Sequence, residues 1–233
     1  MASESKSFVS HGSIGSAKAP ARRPAQSQTG RLTPFLEIAV VFGFIIAAVW
    51  TPQGRFTNSI NLVAALAVVA VSIRGRYSAR ELGLTRPTSG AASTLTTGVL
   101  LVLAVAVAGV FARNLGMPQL FPWHRAWQYA IWAMVQEFIL QSVFYIRLES
   151  LFGSARAVFL AALLFAIAHI PSPLLTALSF LGGLMFCELF RRYRNIYSLG
   201  LVHAALGLTI AARLPDPLLH HMRVGIGYLT YHP

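Results

Sequence analysis

The sequence is poor in charge and nearly without cysteine. Asp, Glu, Lys and Arg make up 11% of its 233 residues, and only 7 of them are acidic. A soluble domain carries about 25% charged residues, so an ordinary water-facing surface is excluded. The single cysteine, Cys187, rules out a disulfide framework and a Cys-based zinc site, and inside an apolar run it reads as a packing residue. Also missing are Gly-x-Ser-x-Gly, His-Glu-x-x-His and any Gly-Asp pair within an apolar run, which sets aside a serine elbow, a zincin helix and an aspartyl motif. Residues 1–32 lack an early apolar core. Rich in Ser, Ala, Gly, Pro and Gln with scattered basic residues, they argue against a signal peptide and for a disordered cytoplasmic tail.

What remains is apolar. Hydrophobic residues make up 55% of the chain, in runs at about Pro34–Trp50, Ser59–Ile73, Ala91–Ala112, Ala126–Ile146, Ala157–Ile170, Leu174–Phe190 and Ile196–Ala212. A bilayer core takes about 20 helical residues, and these runs lack the alternation of barrel strands. The expected fold class is therefore all-α, a polytopic membrane helix bundle of about seven spans embedded in the lipid bilayer. Its membrane-embedded domain covers residues 33–213, and 214–233, rich in Pro and His, forms an external or interfacial tail. No internal repeat is visible. The net charge of +12 does not indicate nucleic acid, because the basic residues lie between apolar runs rather than on a soluble face. With the N-terminus inside, all of the 19 Lys and Arg except Arg55, Arg113, Arg125, Arg213 and Arg223 fall on the inner side. That bias orients a multi-pass cell (inner) membrane protein with a cytoplasmic N-terminus. The Arg-rich loop 74–90 reads as an anchor of this kind, Trp123, Trp127 and Tyr129 as an interfacial aromatic belt, and Glu188 with Arg192 as a helix-surface ion pair. Gly182-Gly183 marks a close helix approach.

An ionisable group at the centre of a membrane helix costs about 2.5–3.5 kcal/mol, so each one needs a partner or a task. Glu137, His169 and His203 are such groups. Glu137 and Gln141, four apart, share a helix face next to Gln136, and Phe165 and His169 repeat that spacing one run later. Counted at about 1.5 Å per residue from Arg147, Arg156 and Arg194, the three ionisable groups lie roughly 15, 20 and 14 Å deep. Three helices thus bring one acid and two imidazoles to one layer. The chemistry that fits is water activation by Glu137 with one of the two histidines, while the other donates to the oxyanion formed on a peptide carbonyl. No cofactor is required. A structural reading would have these groups hydrogen-bonded within the bundle; other classes would use them as a proton or ion relay in a transporter, or as zinc ligands of a hydrolase.

At these residues the chain resembles the CAAX prenyl endopeptidase and bacteriocin-processing (CPBP, or Abi) family of glutamic intramembrane proteases. The family motifs Glu-Glu-x-x-x-Arg, Phe-x-x-x-His and His-x-x-x-Asn stand here, in order, as Gln136-Glu137-x-x-x-Gln141, Phe165-x-x-x-His169 and His203-x-x-x-Gly207. Similarity runs from about Tyr77 to Leu208, through Glu81-Leu-Gly-Leu and the turn from Arg191 to His203. The resemblance implies an endopeptidase acting on a membrane-associated peptide or protein. It also implies that the first glutamate and the second-motif histidine activate water, and that the third-motif histidine and asparagine hold the oxyanion. Because the first glutamate is Gln136 here, Glu137 is expected to serve instead, about 100° further round an ideal helix. Gln141 replaces the arginine, and Gly207 leaves His203 as the sole side-chain donor carried over. The same departures make an inactive membrane scaffold the alternative.

Overall fold

The computed structural model describes residues 28–111, 122–214 and 216–231. Residues 1–27 of the expected tail lie outside them. The elements are α1 (Gln28–Val49), α2 (Arg55–Arg74), α3 (Ala91–Phe111), α4 (Trp123–Glu137), a π-helical stretch (Phe138–Tyr145), α5 (Ile146–Phe152), α6 (Ser154–Ile167), α7 (Pro173–Tyr193) and α8 (Ile196–Arg213). Three short turns follow: α9 (Asp216–Leu219), a 3-10 turn (His220–Met222) and α10 (Ile226–Leu229). Every described element is helical, as the apolar runs predict. The first helix begins at Gln28, inside the stretch expected to be tail.

Among the described residues, six helices are long and apolar enough to cross a membrane, counting α4 to α5 as one. They divide into an outer and an inner set. Only 11%, 11% and 17% of the first three spans is buried, against 50% of Trp123–Phe152, 33% of α7 and 44% of α8. The first three therefore present mainly apolar surface to their surroundings, and the core lies where α3 and α4 pack on α8, and α6 on α7. At Gly183 an added Cβ would come within 3.0 Å of Ala162 Cα, so a glycine allows the close α6–α7 approach. Cys187 is buried in this core.

The fifth expected span is shorter than its apolar run. Helix α6 has 14 residues, about 21 Å at 1.5 Å per residue, against a hydrocarbon core of about 30 Å. The chain turns after Ile167, and Pro173 opens α7. Backbone at such depth needs protein partners. The Gly225 N–H supplies one, donating to Ile170 O at 2.9 Å. The segment 216–231, expected as an external or interfacial tail, is thereby folded back onto the bundle.

Arg147, counted above among the inner charges and used as a depth marker, is wholly buried. Its Nε meets Glu37 Oε2 at 2.7 Å, Nη1 donates to the carbonyls of Ser142 (3.2 Å) and Val143 (3.0 Å), and Nη2 donates to Val71 O at 2.7 Å near the end of α2. A buried guanidinium needs such partners in full. The loop 75–90 is likewise more than an anchor. Ser142 Oγ donates to Leu82 O at 2.8 Å, and Asn195 Nδ2 donates to Pro87 O (2.7 Å) and Ser89 O (3.0 Å). Asn195 Oδ1 also caps α8 by accepting from Tyr197 and Ser198 N–H, which fixes where His203 falls two turns later. Glu188 pairs with Arg191 and Arg192 at 2.7 Å each, as its spacing predicts.

Candidate active site

Gln136 and Glu137 end α4 side by side, yet they serve different surroundings. Glu137 has no exposed surface. Its Oε1 lies 2.9 Å from His203 Nδ1 on α8, and its Oε2 accepts from Gln141 Nε2 at 3.0 Å, the four-residue contact read from the spacing. Gln136 instead lines a cavity of about 260 Å³ together with Tyr129, His169, His203 and Gly207. The π-helical stretch begins directly after this pair; such wide turns recur at functional sites.

His169 sits in the turn after α6, where carbonyls lack helical partners. Its Nδ1 is 2.7 Å from Phe165 O. A carbonyl can only accept, so Nδ1 carries the proton and Nε2 holds a lone pair in the neutral ring. His203 is held by packing as well as by Glu137. Phe186 stacks on it with 5.3 Å between centroids, and Phe165 meets His169 and His203 edge-on at 4.7 and 5.8 Å. With Nδ1 engaged, Nε2 is the polar atom His203 has left for the cavity.

The expected site residues are thus brought together, in a different arrangement. Glu137 pairs with His203, and no hydrogen bond joins it to His169 among the described residues. Gln141 supports Glu137 from a fully buried position rather than facing the cavity. The aromatic belt is divided: Trp123 and Trp127 are 82% and 45% exposed, but Tyr129 turns inward. Its seven-residue separation from Gln136, two helical turns, was the available signal. The rest of the wall is largely apolar, with Phe42, Ile45 and Val49 from α1 and Met222 and Val224 from the C-terminal segment. Among the described lining residues none is Asp or Glu. No three His, Cys, Asp or Glu side chains come together as a metal-binding group among the described residues.

A helical bundle with six long apolar helices among the described residues, and a largely apolar pocket into which a few polar side chains converge, defines an integral, multi-pass membrane protein. A family model described as type II CAAX prenyl endopeptidase Rce1-like matches residues 94–209, which include all five candidate residues. The chain belongs to this family of CAAX-type membrane proteases, as its motifs suggested. No match was found among curated proteins.

Proposed function

We propose that the protein is an intramembrane endopeptidase that hydrolyses a peptide bond of a membrane-associated protein or peptide, in a cell membrane with its N-terminus in the cytoplasm. One observation carries the reading. Both imidazoles commit Nδ1 to an acceptor, Phe165 O or Glu137 Oε1, and both line one cavity with Gln136. His169 Nε2 is then the base that takes a proton from water, and the Gln136 carboxamide orients that water. Glu137 Oε1 fixes the His203 ring at Nδ1, and His203 Nε2–H donates to the oxyanion. As the C–N bond breaks, His169 returns its proton to the leaving amine. Glu137 acts through His203 in this scheme, in place of the direct partnership with His169 expected from sequence.

The test is cleavage of internally quenched peptides by purified protein in liposomes, using one peptide ending in a farnesylated cysteine and one carrying a transmembrane anchor. Wild-type protein should cleave at least one, and His169→Ala and His203→Ala should each lower kcat by about 100-fold or more. A scaffold is the second reading, favoured by the lack of a carboxylate among the described lining residues. It requires that wild-type protein bind such a peptide and cleave neither.

A further inference from the structure

Resting on the peptidase reading, we infer that Tyr129 supplies the second hydrogen-bond donor to the oxyanion, reaching from α4 into the space left open by Gly207 on α8. A Cβ added at Gly207 would lie 1.9 Å from Tyr129 Oη and 2.5 Å from its Cζ, so the phenol fills the place of any side chain there. Gly207 follows His203 by four residues, one turn along the same face of α8. Tyr129 Oη is therefore next to His203 on one wall, and both residues line the cavity. The hydroxyl makes no hydrogen bond among the described residues. On the wall of the cavity, it is available to donate to a ligand.

The positions divide the work. Gln136 and Tyr129, seven residues apart, lie two turns apart on one α4 face, with Gln136 near the nucleophilic water and Tyr129 beside the carbonyl oxygen. When the water oxygen bonds to the carbonyl carbon, the π pair moves onto oxygen. That oxygen accepts from Tyr129 Oη–H and His203 Nε2–H, and neither donor gives up its proton. On collapse the pair returns, the C–N bond breaks, and His169 protonates the amine.

The test uses the full-length chain in liposomes with the same quenched peptides. Tyr129→Phe keeps the ring packed against Gly207 and removes the donor. It should lower kcat by about 10²–10³-fold with KM nearly unchanged, while elution on size exclusion stays that of the wild type. Tyr129→Ala/Gly207→Asn returns a donor from the other helix and should exceed Tyr129→Ala alone in kcat. Wild-type kcat in Tyr129→Phe overturns the assignment and leaves the peptidase reading intact, since a packing role survives that change. If Tyr129→Phe fails to fold, the double variant decides, and no gain over Tyr129→Ala overturns the assignment. Absence of cleavage by wild-type protein overturns both.

Discussion

Replacing Glu137 by Gln removes one negative charge and almost nothing else. The carboxylate Oε1 lies 2.9 Å from His203 Nδ1 with no exposure to solvent. At an effective dielectric constant of about 20, unit charges at that separation attract by about 6 kcal/mol, and desolvation of the pair takes back a share. Glutamine still accepts from Nδ1–H, but it brings no negative charge to strengthen that hydrogen bond when both ring nitrogens donate. A neutral His203 with its proton on Nδ1 presents a lone pair to the developing oxyanion. The expected loss is one charge-assisted donor, about 10²–10³-fold in kcat, or about 2.7–4 kcal/mol. KM should move little, because a ground-state carbonyl draws less on that donor than the oxyanion does. The assay is the initial rate of peptide cleavage in liposomes across a substrate series, with a thermal melt to confirm the fold. Wild-type kcat in Glu137→Gln, with His203→Ala still inactive, would refute the claim that the Glu137 charge acts through His203.

Gln136→Glu puts a carboxylate on the cavity wall beside the base and should raise the cleavage rate about tenfold or more; an unchanged rate would show that the water is not held at this face of α4. Arg147→Ala strips Glu37 of its partner and frees the carbonyls of Val71, Ser142 and Val143, which should destabilise the fold by about 3–5 kcal/mol in a reversible unfolding titration. Dialysis against a zinc chelator should leave cleavage unchanged and elemental analysis should find no stoichiometric zinc, because Glu137 has one oxygen on His203 and the other on Gln141; loss of activity restored by zinc would reverse that view.

The helices were legible because each apolar run is long, and burial of backbone in lipid leaves little choice but a helix. The pairing of Glu137 with Gln141 followed from four-residue spacing alone. The depth count brought Glu137, His169 and His203 to one layer, and the cavity does gather both histidines. It could not say which of two neighbouring residues faces inward, because that depends on how α4 is rotated against α8. Hence Gln136 took the cavity and Glu137 the space behind His203. Tyr129 was misassigned for the same reason: an aromatic near a span end looks interfacial until the rotation is known. Arg147 was read as an aqueous boundary because its partner Glu37 is 110 residues away, beyond any local pattern. The early stop of α6 and the return of residues 216–231 depend on tertiary contact between Gly225 and Ile170, which periodicity does not encode.

Arg147 also bears on how portable the family-matched unit is. The family match begins within α3, which would suggest a self-sufficient module with two dispensable leading helices. The guanidinium contradicts that picture, since its carboxylate comes from α1 and one of its carbonyls from α2. Grafting the matched portion behind a different leader would strand a cation in the interior unless the new helices brought an acid and an acceptor to the same spot. The ancestry visible in residues 94–209 and the smallest piece able to stand alone are therefore different lengths of chain.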